Sequence, residues 1–569
     1  MNELSDQVRG IIFVVLVLLV IGVWSHFYTP PAVPVQKGAP AAASQQAGSA
    51  QSPAGPSAMK SAPAPAASGT PAKIEAVQAS AEKTVVVQSS LYRVELSNRG
   101  GVVKSWKLNK YFDDQKPPRP LELVNADGSQ QLGWPFSLVL ADSQLESQAN
   151  NALYQMSPSS SDVVDAPSEI TLHWSDGHLD ITKKLTFKQD YDVSIDVSAS
   201  LDGRLIPVSL AWRGGFGDRA VYKASQLVTV FYKSNGKLSL LQYKKLGASG
   251  NQGQPLEQAG PMEFLGIEDQ FFTATFLPVD TPLSLWDWTQ DHKITVDDKP
   301  ATEPIAQMAA GTPTAGPLHM RAYIGPKDLA ILSTVKPSLE EQVNFGWTGV
   351  IAKPLLFILQ WIHRTIPSWG WTIIALTVVI NFALFPLKLK SQRSMQRMAA
   401  VAPEIRSIQD RYKKYSMSDP RKRQMNEEVM AIYQREGINP VGGCLPMLPQ
   451  LPIWWALWRV LNGAIELRHA PWMWIHDLSA KDPYYILPVS MAIMMYFSTK
   501  MTPQTTIDPS QQKMMSLMPL MMAAFFINLS SGLNLYMFTS NLIGVGQQYY
   551  LNRTKPLPVP KPKFKKKKE

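Results

Sequence analysis

The sequence contains little cysteine and little histidine, and this excludes several kinds of site. Its 569 residues include one cysteine, Cys444, and eight histidines that are scattered along the chain. A single cysteine cannot form an intramolecular disulfide, and a structural metal site needs several ligands at close spacing. We therefore predict neither a disulfide framework nor a bound metal, and we expect no cofactor.

Motifs for nucleotide hydrolysis and covalent catalysis are also missing. The chain has no phosphate-binding P-loop, no HExxH zinc-protease pattern and no GxSxG nucleophile elbow. Residues 214–217 read Gly-Gly-Phe-Gly, but no apolar helix follows them to receive a phosphate, so they predict a turn. We expect no catalytic residue, and we predict that the protein is not an enzyme.

Positive charge is concentrated in two segments. Residues 388–437 contain twelve Lys/Arg and six Asp/Glu, and residues 553–569 contain eight and one, which gives +6 and +7 against +10 for the whole chain. Lys/Arg-rich loops next to membrane spans remain in the cytosol, and such patches attract anionic lipids or RNA. The alternative is that these charges are solvated and only enforce topology.

The first of these segments is predicted to be a cytosolic hairpin of two amphipathic arms. Pro403 predicts a boundary or kink between helical pieces, and residues 416–420 predict the turn. Its candidate docking residues for a ribosome or a client are Arg393, Arg397, Arg406, Arg411, Lys413, Lys414, Arg421, Lys422 and Arg423. Residues 552–569 form a second basic element, a cytosolic tail.

The N-terminal 83 residues predict an anchor and a tether. An apolar run at 11–24 lacks small residues after it for signal-peptide cleavage, so residues 1–28 predict an uncleaved transmembrane anchor. Residues 29–83 are rich in Pro, Ala and Ser and bury too little apolar surface to fold. They predict a disordered tether that lets the next domain move over the membrane surface.

Residues 84–340 have the pattern of an antiparallel β-sandwich. Short runs such as 92–96, 182–187 and 193–197 alternate between apolar and polar residues, and Asn/Gly-rich turns separate them. Period-two alternation is typical of half-buried strands. The topology described next places this large domain outside the cytosol.

The remaining chain predicts an α-helical membrane bundle. Residues 345–366 form an amphipathic pattern typical of an interfacial helix, although a core helix of the β-domain is the alternative. Residues 371–551 hold five apolar segments, which with the anchor make six transmembrane helices. An even number places both termini on the cytoplasmic side. These segments are 371–387, 441–463, 484–501, 514–529 and 533–550.

Polar residues recur along one face of several of these segments. Unpaired polar groups in hydrocarbon cost several kcal/mol, so such stripes indicate either a hydrated groove or contacts between helices. Both interpretations stay open from the pattern alone. The candidate groove residues are Thr377, Asn381, Gln450, Asn534, Asn541 and Gln548. Arg459 is a deep charge, for which pairing toward Asn462 and Glu466 or snorkelling outward is expected.

Methionines crowd the third and fourth of the five segments. Soft, unbranched side chains suit a surface that accepts many apolar partners, and they suit ordinary packing equally well. The candidate apolar slide for clients consists of Met491, Met494, Met495, Met518, Met521 and Met522.

Several short motifs carry a resemblance to a known family. They are Asn-Pro-Val-Gly-Gly-Cys at 439–444, Glu-Leu-Arg at 466–468, Trp-Ile-His-Asp-Leu-Ser at 474–479, Asp-Pro-Tyr-Tyr-Ile-Leu-Pro at 482–488 and Ser-Gly-Leu at 531–533. Together they closely resemble the YidC membrane-protein insertase family. The anchor, tether and exported β-domain resemble its Gram-negative architecture by layout.

The resemblance implies an inner-membrane insertase and chaperone without a cofactor. It implies nascent membrane-protein clients, the Sec translocon as an optional partner, and a cytosolic hairpin that contacts clients and ribosome. Anionic phospholipids are a further expected partner. The family carries a groove arginine at the position of Asn381, so this chain predicts an uncharged groove instead.

Two other function classes remain as alternatives. A secondary transporter or channel would show internal repeats or intramembrane ion pairs, and neither is evident in the sequence. An anchored glycan-active enzyme would need convergent carboxylates in the β-domain, for which Glu263, Glu268 and Asp269 qualify only by residue type.

Overall fold

A computed structural model describes most of the chain beyond the N-terminal tether. The described residues are 75–158, 162–219, 227–242, 246, 255–296, 299–343, 345–415, 419–437, 447–501, 521–522 and 524–554. The predicted anchor at 1–28, the basic tail after 554 and most of the predicted span 514–529 lie outside these ranges.

The described part of the predicted β-domain consists of strands with short helices between them. The strands are β1 Thr84–Gln88, β2 Tyr92–Ser97, β3 Val102–Phe112, β4 Pro120–Glu122, β5 Ser137–Val139, β6 Gln155–Ser157, β7 Val163–Asp165, β8 Ser168–Ser175, β9 Leu179–Phe187, β10 Asp192–Leu201, β11 Arg204–Leu205, β12 Ser209–Trp212, β13 Thr229–Ser234, β14 Lys237–Gln242, β15 Leu256–Met262, β16 Phe264–Glu268, β17 Phe272–Pro278, β18 Leu283–Val296, β19 Lys299–Gly311 and β20 Leu318–Pro326. Helices α1 Ala126–Leu132, α2 Ser143–Asn151 and α3 Leu329–Thr334 complete it.

These strands form three sheets within the described residues. Their orders are β4-β3-β2-β1-β7, β14-β13-β16-β17-β20-β10-β9-β8-β6 with β11 beside β10, and β15-β18-β19-β12-β5. The pairing is antiparallel as predicted, except that β1 and β7 pair in parallel at one edge. A parallel pair needs a long crossover, and strands β2 to β6 provide it here.

The alternating pattern of the sequence produces the core of this domain. Strand β9 alternates between buried and half-buried residues along its whole length, so that Leu179, Ile181 and Phe187 point into one core. Trp106 packs with its ring centroid 6.2 Å from that of Phe187. Period-two burial is what half-buried strands require, and the β-rich domain is confirmed.

A lysine is completely buried in this core, and no described residue forms an ion pair with it. Lys183 Nζ donates hydrogen bonds to the carbonyl oxygens of Gly100, Gly101 and Phe136 at 2.8, 3.0 and 2.8 Å. Burial lowers the pKa of Lys183 to about 7 because no carboxylate compensates for the loss of water.

The C-terminal part of the chain is helical. After α3 follow α4 Gly349–Thr365, α5 Trp369–Arg411, α6 Pro420–Arg435, α7 Met447–Gly463, α8 Ile486–Met501 and α9 Ser531–Thr554, with short 3₁₀ turns at Glu340–Gln342, Gly346–Thr348 and Ile465–Leu467. Helix α4 packs against α5 and α7, and α9 packs against α5, α7 and α8.

Helix α5 is one continuous helix of 43 residues. At 1.5 Å per residue it is about 65 Å long, which exceeds the roughly 30 Å of bilayer hydrocarbon. Pro403 is not a helix boundary, because the helix continues through both Pro386 and Pro403, and the alternative of a kink at Pro403 stays a prediction. A proline removes one helical hydrogen bond, and here the neighbouring Val401 and Ile405 are held by packing against α6.

One helix among the described residues is long and apolar enough to cross a membrane by length and composition, namely α5. Helix α8, Ile486–Met501, is a shorter apolar helix. The predicted count of six transmembrane helices therefore stays a prediction.

Candidate functional site

One predicted groove residue, Asn381, contacts a serine of helix α9 and a lysine of its own helix α5. Asn381 Nδ2 donates to the carbonyl oxygen of Thr377 at 2.8 Å and to Ser540 Oγ at 3.2 Å. From the other side, Lys388 Nζ donates to Asn381 Oδ1 at 2.6 Å. We call Thr377, Asn381, Lys388 and Ser540 the polar seam.

The polar seam is closed in this structure. Thr377 and Asn381 are 0% and 2% exposed, and Thr377 Oγ1 donates to the carbonyl oxygen of Ile373 at 2.6 Å. Lys388 lies two helical turns from Asn381 toward the basic hairpin. An ammonium group that is hydrogen-bonded to a buried amide makes the seam positive at one end.

The sequence did not identify Ser540 as a partner of Asn381, and it indicated the neighbouring Asn541 instead. Asn541 Nδ2 donates to the carbonyl oxygen of Met537 on its own helix at 2.8 Å, whereas Ser540 faces Asn381. Adjacent residues on a helix point about 100° apart, so a seven-residue spacing of amides does not identify the residue at the contact.

The other predicted groove residues lie at separate places. Gln450 Nε2 donates to Tyr536 Oη at 3.2 Å, which joins α7 to α9. Asn534 Nδ2 donates to the carbonyl oxygens of Phe526 and Leu529 at 3.1 and 3.4 Å, at the start of α9. Gln548 Nε2 donates to the carbonyl oxygen of Met501 at 3.3 Å, where α8 ends.

The methionines of the predicted slide also do not share one surface, because they differ in exposure. Met491 is fully buried, Met494, Met495 and Met522 are half-buried, and Met521 is 60% exposed. Met518 lies outside the described residues. The large exposed apolar side chains of α8 are instead Ile486, Val489, Ile493, Tyr496 and Phe497.

The basic hairpin has its own small core. Val401, Ile405 and Ile408 of α5 pack against Ile432 of α6. The apolar positions recur at three- or four-residue spacing, so they lie on one face of α5 and leave the charged residues on the other.

Acidic residues pair with some of the basic residues of the hairpin, including one predicted docking residue, Arg411. Arg411 Nη2 lies 2.7 Å from Glu428 Oε2, and Arg435 Nη2 lies 2.7 Å from Glu404 Oε2. Tyr412 donates to Glu428 Oε1 at 2.8 Å, and this hydrogen bond raises the pKa of Tyr412. The predicted docking residues that are exposed are Arg397, Arg406, Arg411, Lys413, Lys414, Arg421 and Arg423, with Lys422 half-buried and the Arg393 side chain undescribed.

The carboxylates considered for an enzyme are held by other groups. Glu263 lies 3.2 Å from Lys233, and Glu268 lies 3.3 Å from Lys327. Asp269 accepts the backbone N–H groups of Phe271 and Phe272 at 2.8 and 2.6 Å. Across the described residues, no three His, Cys, Asp or Glu side chains are grouped as metal ligands.

Comparison with known proteins agrees with this arrangement. Residues 84–358 match the model of the YidC periplasmic domain, and residues 361–557 match the model of the 60Kd inner membrane protein family. The membrane protein insertase YidC of Wolinella succinogenes is 30% identical over 562 residues, covering 97% of this chain and 96% of that protein. That of Cupriavidus necator is 31% identical over 524 residues, covering 90% and 91%.

A solved structure is also similar to this chain. The crystal structure of an active YidC insertase with its first transmembrane domain resolved is 19% identical, with a TM-score of 0.35. The similarity covers 84% of this chain and 95% of that chain.

The two matched models correspond to the two parts of the fold, the β-rich domain and the helical unit, and they place the chain in a class of inner membrane proteins. The matched family models and the near full-length relatives agree with this class. The chain belongs to the YidC family of membrane-protein insertases. Its relatives are named as insertases, which is consistent with the prediction that the protein is not an enzyme.

Proposed function

We propose that this protein inserts and chaperones small membrane proteins, alone or beside the Sec translocon, and that the polar seam is where a client's polar stretch enters the bundle. The observation that carries this proposal is the buried Asn381, bonded to Ser540 on one side and Lys388 on the other. These side chains can exchange partners with a client without leaving any group unsatisfied.

The physical benefit is a shorter path through hydrocarbon. A polar segment that crosses the full bilayer loses its water over about 30 Å, and each unpaired group costs several kcal/mol. A seam that opens from the hairpin end offers hydrogen bonds for part of this distance. The Lys388 ammonium lies at that end and favours clients with acidic residues. It supplies a positive charge in place of the family's groove arginine, whose position Asn381 occupies.

The proposed topology follows from the basic segments. Both termini and the basic hairpin are cytoplasmic, and the β-domain is periplasmic. The exposed basic residues of the hairpin, with the basic tail, bind a translating ribosome or anionic phospholipids. The exposed apolar surface of α8 contacts the client's apolar segment.

Thiol accessibility tests whether the seam opens to water. In a Cys444→Ser background, Asn381→Cys and Ser540→Cys are compared with Phe382→Cys, since the Phe382 side chain is 73% exposed on α5. Membrane-impermeant maleimide applied from the cytosolic side labels the first two faster than the third. Equal labelling at all three positions would rule out a hydrated seam.

Depletion tests the function itself. When the protein is depleted, single-span membrane proteins fail to insert, while export of soluble proteins continues. If soluble export stopped equally and insertion persisted, the proposed function would be wrong.

A further inference from the structure

A short segment after α7 contacts both the β-domain and the helical bundle. Ile465 is 4% exposed and packs in the hydrophobic core of the β-domain, whereas Leu467 is 0% exposed and packs in the core of the bundle. Side chains only two residues apart are therefore buried in different parts of the molecule. We call residues 465–469 the clasp.

The clasp contains a buried ion pair that crosses the same junction. Arg468 Nε and Nη2 donate to Asp218 Oδ2 at 2.9 and 2.6 Å, and the two side chains are 4% and 3% exposed. The sequence separation between them is 250 residues. An ion pair removed from water requires good geometry and further hydrogen bonds to offset its desolvation.

Hydrogen bonds hold the Asp218 side of this pair in place. The backbone N–H of Asp218 donates to Asp269 Oδ2 at 2.6 Å, and Asp269 Oδ1 accepts from Phe271 and Phe272. Gly217 has a φ of 92°, and a Cβ at this position would collide with the Asp269 carboxylate. A glycine is thus needed for the close approach that presents Asp218 to Arg468.

Three more contacts surround the ion pair. His469 Nε2 lies 2.6 Å from Asp114 Oδ1, and Gln270 Nε2 donates to the carbonyl oxygen of Asn462 at 2.9 Å. Glu466 Oε1 accepts from Gln360 of α4 at 2.9 Å. The clasp therefore connects the β-domain to α4 and to the end of α7.

A cleft lies beside the clasp. It has a volume of about 930 Å³ and is lined by both parts of the molecule. Its acidic groups are already partnered, because Glu268 lies 3.3 Å from Lys327 and Asp218 lies against Arg468. The contacts of the clasp instead join the β-domain to the helical bundle.

We infer that the clasp locks the β-domain onto the end of the bundle as one rigid unit, with Arg468 as the positioning residue that sets its orientation. A buried ion pair adds little net stability, and its best-attested use is to specify one arrangement over others. Ile465 anchors the clasp in the apolar core of the β-domain, and Arg468 sets the orientation of the β-domain relative to the bundle. The clasp would hold the β-domain whether or not the protein is an insertase. A β-domain held in this way does not move freely over the membrane surface, as the tether alone predicts.

Distances between spin labels in the full-length protein in nanodiscs test this inference. In the Cys444→Ser background, one label is placed at Arg204 of the β-domain and one at Tyr484 of the bundle, both exposed. The parent protein gives a narrow distance distribution. Arg468→Gln and Asp218→Asn each leave one buried partner uncompensated and broaden the distribution at least twofold, while Arg468→Lys broadens it less.

The double variant and a control separate positioning from general damage. Asp218→Asn combined with Arg468→Gln removes both charges, so its distribution is narrower than that of either single variant. Arg219→Gln breaks the exposed Arg219–Asp127 pair and leaves the distribution unchanged. In all of these variants amide exchange of strands β9 and β10 is unchanged, and exchange of residues 465–470 rises by about tenfold or more in Arg468→Gln and Asp218→Asn but not in Arg219→Gln. An unbroadened distribution in Arg468→Gln, or equal broadening in Arg219→Gln, would overturn the inference.

Discussion

Lys183 shows how one buried residue links the β-domain's stability to pH. Its Nζ group has three carbonyl partners and no carboxylate, and its pKa falls to about 7 in the folded protein. In the unfolded chain the pKa is near 10.4. Between these values the folded form binds fewer protons, so stability rises from pH 7 to 10 and is lost as pH falls toward 7.

The free energy of unfolding of the full chain in detergent, followed by tryptophan fluorescence, measures this effect. Lys183→Met lacks the titrating group, so the free energy of unfolding rises more steeply with pH in the parent than in the variant. Lys184→Met, on the exposed side of the same strand, keeps the parental slope. A parental slope in Lys183→Met would show that this lysine does not titrate in the range.

Substitution of Lys388 tests whether a positive charge at the polar seam contributes to insertion. Lys388→Met removes the charged donor to Asn381 and lowers insertion of a client with an acidic tail by about fivefold, equivalent to about 1 kcal/mol. Insertion of the same client with an uncharged tail falls less. Lys390→Met, at an exposed position on the same helix, leaves both unchanged, and an equal loss for both clients would exclude a charge effect.

At the scale of elements, the basic hairpin depends on a small apolar core. Ile405 is 1% exposed between α5 and α6, and Ile405→Ala removes about 2 kcal/mol or more of packing. Limited proteolysis of the full-length protein therefore cuts residues 412–437 faster in this variant. Ser407→Ala, on the exposed face, keeps the parental cleavage rate, and resistance of Ile405→Ala would mean that the arms do not pack.

Charge pairs contribute less to this element than the apolar core does. The Arg435–Glu404 pair is about half exposed, and exposed pairs add about 0–1 kcal/mol. This pair therefore affects the orientation of the two arms more than the stability of their packing. The proposed binding of a ribosome or of anionic lipid would use the charges that remain exposed.

For the whole molecule, the β-domain and the insertase core are expected to be separable in function but not in stability. Deletion of residues 84–330 retains most insertion of single-span clients, because the polar seam lies in the bundle. It also exposes Ile465 and leaves Arg468 without Asp218, so the shortened chain unfolds at lower temperature.

Adding Ile465→Ser and Arg468→Gln to the deletion recovers part of that thermal stability. Insertion is measured with a single-span client, and unfolding is measured in the same membranes. Collapse of insertion on deletion would make the β-domain central to the function, and unchanged unfolding would remove the case for the clasp.

The sequence alone determined much of this protein. Period-two alternation predicted the β-domain, the charge run predicted the hairpin, and short motifs predicted the family. Each of these signals is local, because strand and helix periodicity follow from backbone geometry within a few residues. The continuity of α5 through Pro403 was missed, since packing against α6 outweighs the local preference of proline.

Only the tertiary structure decided which distant residues meet. It placed Ser540 rather than Asn541 against Asn381, Ile465 in the core of another domain, and Arg468 against Asp218. These contacts depend on how helices rotate and where domains dock, and several rotations satisfy the same hydrophobic pattern. Close packing of the whole chain selects one of them, which no single segment encodes.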